Sequence, residues 1–230
     1  MEGKTVLSTN TVRNDTTHTM ILNLTESIKY YQVIVEDQWG FFSESNIAQP
    51  NLPYTMIKNY GGIALMTSKK HESGSDRIYE ALEKFDPVKK YKKIIHLQGD
   101  LPNISGSLIK KLAEVINDPS REITTVVVKA TPEEFDDESV VKAAITFSKE
   151  NPEINDVGRA LYFSRACIPT GNTKIWHHIG IYAWQRNILE KFVNLKPSPL
   201  EKSERLEQLR ALEAGINIHT ILTSEHPIGV

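Results

Sequence analysis

The stretch HLQGDLPNI, His96 to Ile104, follows directly on the strand-forming run YKKII and carries a carboxylate, Asp100, at its fifth position. Ile94, Ile95 and Leu97 read as a short buried strand. Gly99 permits backbone angles that other residues avoid and Pro102 lacks a backbone donor, so the strand stops at Asp100. Open α/β sheets bind ligands at the carboxyl ends of their strands, so an acid there can hold a metal ion against a phosphate. It can equally serve as a turn-former or helix cap. Four further stretches attach polar groups to elements that otherwise read as core. HESGSDR sets Ser73, Gly74 and Ser75 just before a helix, where free backbone N–H groups suit an anion, a polar base edge or plain capping. YFSRACIP offers Arg165, whose planar fork matches a carboxylate or phosphate, or a surface ion pair. WHHIGIY offers His177 and His178, strand neighbours that must face opposite ways. LEKSERLEQLRALEAG turns Leu206, Leu209 and Leu212 inward and groups Glu204, Glu207 and Gln208 on another face, which is a site or a solvated charged surface.

The elements that must position these groups follow an orderly alternation from about residue 61. GGIALMT reads as a strand, and SGSDRIYEALEKF as a helix with Ile78, Ala81, Leu82 and Phe85 on one face. KKIIHL is the next strand, and a helix runs from roughly Gly106 to Asn117, where Asp118-Pro119 ends it. EITTVVVKA is almost continuously apolar and β-branched, as strands buried on both faces of a parallel sheet are. This alternation predicts a mostly parallel central sheet covered by helices. SVVKAAITFS, RALYFSRACIP and HHIGIYAW, with no long helix between them, predict a small mixed-β extension. A last helix is bounded by Ser198 as N-cap, Pro199, Glu201 three residues after the cap, and Gly215 as its stop, before the strand INIHTILT. In the first 60 residues TVLSTNT and YYQVIVED are strand candidates, joined by a weakly amphipathic stretch, and Gln38 to Thr55 has no period.

With 230 residues, 40% hydrophobic and 24% charged, the chain can bury a large α/β core and is expected to form a single domain over 1–230, with 1–60 as a divergent part. A net charge of -2 makes no field that would gather nucleic acid or an acidic membrane, so any phosphate site must be local. The lone Cys167 excludes an internal disulfide framework, and its apolar surroundings fit packing better than nucleophilic work. No stretch has the length of a membrane span, and the first residues show neither a secretory nor a transit pattern, so a cytoplasmic location is expected. The sequons at Asn14, Asn23 and Asn103 are then chance. P-loop, GxGxxG, HExxH, GxSxG and paired CxxC signatures are absent.

Taken together, HESGSDRIYEA, LQGDLPNI, ALYFSRACIP, HHIGIYAWQRNILEKFV and PSPLEKSERLEQLRALEAGINI resemble, in order and spacing, the 3-deoxy-manno-octulosonate (Kdo) cytidylyltransferases, or CMP-Kdo synthetases. The resemblance covers about residues 61 to 230. It implies an α/β, Rossmann-like nucleotidyltransferase fold and a homodimer. The implied reaction is CTP + Kdo → CMP-Kdo + pyrophosphate, which activates Kdo for lipopolysaccharide. In it the anomeric hydroxyl of Kdo attacks the α-phosphorus in line while Mg²⁺ neutralises phosphate charge. Carried onto this chain, the resemblance makes Asp100 the catalytic Mg²⁺ ligand. It sets Gln98, Ser73 and Gly74 near the cytidine and lines the Kdo pocket with Arg77, Arg165, His178, Glu207 and Gln208.

Two departures qualify that expectation. The family's basic triphosphate loop, of the form PAR..STRLP.KPL, corresponds here to LSTNTVRNDTTHTMIL, where Arg13 and the earlier Lys4 supply the fixed positive charge. The acid that supplies a second Mg²⁺ ligand beyond a P.GVD-like stretch has no counterpart after HPIGV. Losing several charge-assisted phosphate contacts would remove most of the stabilisation on which phosphoryl transfer depends. The alternative is therefore a catalytically inactive descendant, kept as a structural subunit of a hetero-oligomeric assembly, including an organellar one.

Overall fold

β4 (Lys93–Gln98) and β5 (Ile123–Lys129) form from apolar runs, and their neighbouring side chains go to opposite faces. Ile94 joins an apolar layer with Ile78 and Leu82, whereas Ile95 joins another with Leu108 and Leu112. A strand buried on both sides needs helices on both sides. They are α1 (Gly74–Phe85), capped by Ser73, and α2 (Gly106–Val115), capped by Ser105, whose hydroxyl accepts from the Leu108 N–H at 3.1 Å. The computed structural model describes residues 18–23, 31–36, 63–68, 70–71, 73–98, 101, 104–171 and 174–226. Asp100, Lys4 and Arg13, the strand candidate TVLSTNT and the aperiodic stretch from Gln38 to Thr55 lie outside the described residues.

The remaining strands are β1 (His18–Asn23), β2 (Tyr31–Glu36), β3 (Ile63–Met66), β6 (Lys142–Thr146), β7 (Val157–Ser164), β8 (Trp176–Gln185) and β9 (Ile218–Thr223). All nine described strands belong to one sheet, ordered β3-β1-β2-β4-β8-β5-β9-β7-β6. The expected mostly parallel sheet is corrected to a mixed one. Among the described strands only the pairings β2–β4 and β5–β9 are parallel. The cause is insertion. β4, β5 and β9 do run the same way, as the alternation with helices requires, but β8 enters between β4 and β5 in the opposite direction. β1 does the same between β3 and β2, and it forms where the sequence shows only a weakly amphipathic connection. β8 also pairs with β6, setting His177 opposite Lys142, which closes β8, β5, β9, β7 and β6 into a five-stranded ring. The mixed extension is this ring, whose closure pairs an edge that would otherwise be free.

Two helices depart from the sequence pattern. α3 (Arg186–Val193) follows β8 directly and was not apparent as a separate element. The helix expected from Ser198 to Gly215 is broken into α4 (Pro199–Glu204) and α5 (Gln208–Glu213). Ser198 and Glu201 form the expected capping box, but Arg205 takes the left-handed conformation, φ 56 and ψ 46, and ends α4. Glu201 then holds Arg210 of α5 through two hydrogen bonds, of 2.8 and 2.5 Å. Gly215, at φ +73, stops α5 where a side chain would be strained. No helix among the described residues is long and apolar enough to cross a membrane.

Candidate functional site

A cavity of about 310 Å³ lies where the start of α1, the face of β8 and the α4–α5 turn meet. Ser75, His178, Glu207 and Gln208 line it, four polar residues drawn from three separate stretches of sequence. Ser73 stands beside them as the cap of α1. Its hydroxyl accepts from the Asp76 N–H at 3.2 Å and donates to the Asp76 carboxylate at 2.9 Å. Gly74 packs on His96 of β4: a Cβ there would meet the imidazole Cε1 at 3.4 Å.

β8 aims its side chains through a local irregularity. Its pairing with β5 shifts register between Thr125 and Val126, so Gly180 and Ile181 have no partner across the ladder. That bulge exposes backbone carbonyls to the Thr125 side chain, whose hydroxyl lies 2.7 Å from the Ile181 carbonyl and 3.0 Å from His178 Nε2. A hydroxyl has one proton to give. Donated to the carbonyl, it leaves Thr125 Oγ1 to accept from His178 Nε2–H, so neutral His178 keeps Nδ1 as an acceptor. Burial lowers the His178 pKa to about 3, with His177 adding to the shift, which keeps the ring neutral. His177 turns instead to Glu134, 2.9 Å from its Nδ1, although it too borders the cavity.

Burial pushes the Glu207 carboxyl above the ordinary carboxylate range, against the hydroxyls of Ser75 and Ser73 and the charge of Arg210. Its Oε1 is buried with no hydrogen-bond partner among the described residues. The break after α4 explains why Glu204 is elsewhere: it accepts from Ser164 and Tyr162 of β7, while Glu207 and Gln208 turn into the cavity.

The two arginines expected at the sugar stand outside the cavity wall. Arg77 is buried and donates to Thr67 Oγ1 and the Ser68 carbonyl, each at 3.0 Å, so it holds the chain after β3. Arg165 donates to the Glu138 carbonyl at 2.8 Å, next to Ser139, which does line the cavity. Among the described lining residues the arginine at the wall is Arg205. Nothing in its sequence context marks it, because a left-handed arginine has no pattern of its own. His96 also lines the cavity, and both its ring nitrogens are buried without partners among the described residues. A histidine inside the apolar run IIHL was the available signal for it. Gln98 ends β4, the strand that leads to Asp100.

Mg²⁺ takes oxygen ligands, chiefly ionised carboxylates and waters. The only carboxylate among the described lining residues is Glu207, which burial drives toward its protonated form, so these residues do not by themselves make a Mg²⁺ site.

The α/β fold that carries this cavity is a nucleotidyltransferase fold, shared with a solved structure described below. The chain is a member of the cytidylyltransferase family, whose model matches residues 54–218. It is 45% identical over 178 residues to the 3-deoxy-manno-octulosonate cytidylyltransferase of Brucella anthropi, covering 77% of this chain and 70% of that protein. The Brucella ovis protein of the same name is 44% identical over the same length, covering 69% of its own. A solved structure of CMP:2-keto-3-deoxy-manno-octonic acid synthetase complexed with CTP superposes with a TM-score of 0.67 at 33% identity, covering 76% of this chain and 70% of that one.

Proposed function

We propose that this protein transfers CMP from CTP to Kdo with release of pyrophosphate, an activation step of lipopolysaccharide precursor synthesis. Family membership supports the reaction class, and the identity to proteins named for this reaction supports the substrates. The observation that carries the proposal is the convergence of Ser75, His178, Glu207 and Gln208 on one cavity.

In this reading His178 Nδ1 accepts from a sugar hydroxyl, and Glu207 and Gln208 bond the others. Arg205 pairs with the sugar's carboxylate, while Arg165 positions the Glu138–Ser139 wall. Arg77 holds the approach to α1. Ser73 and Gly74, at the positive end of the α1 dipole, face the nucleotide together with Gln98. The anomeric hydroxyl of Kdo attacks the α-phosphorus in line, and pyrophosphate leaves opposite it. Asp100 is the proposed Mg²⁺ ligand, and the ion would neutralise charge on the phosphates. We further infer a single domain that pairs as a homodimer in the cytoplasm.

The test is pyrophosphate release by the purified chain with CTP, Kdo and Mg²⁺. Turnover that is lost in Asp100→Asn and reduced in Gln208→Ala supports the proposal. A folded protein that releases none supports the inactive structural subunit instead.

A further inference from the structure

Glu134, His177 and His226 come together from three separate elements, the 3₁₀ turn Pro132–Glu134, β8 and the segment after β9. Their ligand atoms lie within 4.8 Å of one another. Glu134 is pre-oriented: Oε2 accepts from the Thr131 N–H at 2.8 Å, which leaves Oε1 facing both imidazoles. His177 Nδ1 is 2.9 Å from that oxygen and His226 Nδ1 is 3.9 Å from it. The first distance is a hydrogen bond, but the second exceeds one, so hydrogen bonding does not account for the approach of His226.

We propose that these three residues bind a divalent cation of the zinc class. Two imidazoles and a carboxylate are a borderline donor set that suits Zn²⁺ and not Mg²⁺. In a tetrahedral site with bonds of about 2.0–2.1 Å, ligand atoms stand roughly 3.3 Å apart, so the widest gap here closes by at most about 1.5 Å. His226, whose side chain is 42% exposed, can make that movement without disturbing the core. The Thr131 N–H supplies the outer hydrogen bond that ligating carboxylates require. The fourth position would take water or an oxygen of a molecule in the cavity, because His177 belongs to both sites.

Binding is read without turnover, so its failure is separate from that of the nucleotidyl-transfer proposal. Chelator-stripped full chain is titrated with Zn²⁺ by calorimetry and with Co²⁺ by visible absorption. The expected result is one equivalent bound more tightly than about 10 μM, with the d–d bands of four-coordinate Co²⁺. His226→Ala and Glu134→Gln should each weaken binding roughly tenfold or more, whereas His71→Ala, at a histidine paired with Glu80 instead, should not. Absence of saturable binding, or unchanged affinity in His226→Ala, overturns the site.

Discussion

At the scale of single residues, Glu207 and Arg205 are both held in states that folding alone disfavours. The Glu207 pKa is raised by burial, so at neutral pH the ionised carboxyl destabilises the fold, and that cost fades as pH falls through the folded pKa. Glu207→Gln removes the ionisation while keeping the shape. Chemical denaturation at pH 7 to 8 should show a gain of about 1–3 kcal/mol, and the gain should shrink at acidic pH. The apparent KM for Kdo should rise roughly tenfold or more. A gain that does not depend on pH would show that the carboxyl is not the source. Arg205 occupies the left-handed region at φ 56, where an L side chain costs about 1 kcal/mol. Arg205→Gly relieves that strain, so its melting temperature should rise or hold while the KM for the anionic sugar increases. A variant that loses stability with its KM unchanged would make Arg205 a plain helix terminator.

At the scale of elements, α1 and α3 are joined by a buried ion pair that local sequence does not announce. Arg186, 3% exposed, donates to the Asp86 carboxylate at 2.5 Å and to Glu83 at 2.8 Å. Burial works to raise the Asp86 pKa, but the Tyr91 and Lys90 N–H groups and the Arg186 guanidinium outweigh it, so the net shift is downward. A depressed acid stabilises the fold above its unfolded pKa, and that contribution is lost as pH falls through the folded value. Removing the cation strands a buried charge, so Arg186→Met should cost about 3–5 kcal/mol at pH 7. The loss relative to wild type should narrow as both proteins are unfolded at progressively lower pH, toward and below the ordinary aspartate range. An equal loss at every pH would assign the effect to packing. The same elements show what sequence can and cannot disclose. The starts of α1 and α4 were legible because Ser73 and Ser198 cap through their own nearest turn. The break at Arg205 was not, since the stabilising contact, Glu201 with Arg210, spans the break and competes with helix continuity.

At the scale of the whole molecule, strand existence was legible and strand order was not. The apolar runs of β4, β5 and β9 announce buried strands by composition alone. The entry of β8 between β4 and β5 depends on pairing partners far apart in sequence, which no periodicity encodes. For the same reason Ser73, Gly74, His178, Glu207 and Gln208 could be named as candidates one stretch at a time, while the partners that hold Arg77 and Arg165, Thr67 with Ser68 and Glu138, show only in the fold. Lys142 links that ring to the cavity. It is fully buried, and its ammonium donates to the Asp137 and Val140 carbonyls at 2.7 and 2.8 Å. Those bonds tie down a loop whose Ser139 and Val141 line the cavity, and the Val141 carbonyl accepts from the His178 N–H at 2.8 Å. Lys142→Met keeps the apolar stem and leaves the carbonyls without their donor. The ring should persist, because backbone pairing of β6 with β7 and β8 does not use the ammonium. Local opening of residues 137–141 should become easier by about 1–2 kcal/mol, seen as roughly tenfold faster amide exchange in that loop. The KM for Kdo should rise with it while exchange in β5 and β9 stays slow. Unchanged exchange in the loop would mean that the cavity wall is held by the strands alone, and that ring closure and sugar binding are not coupled through this lysine.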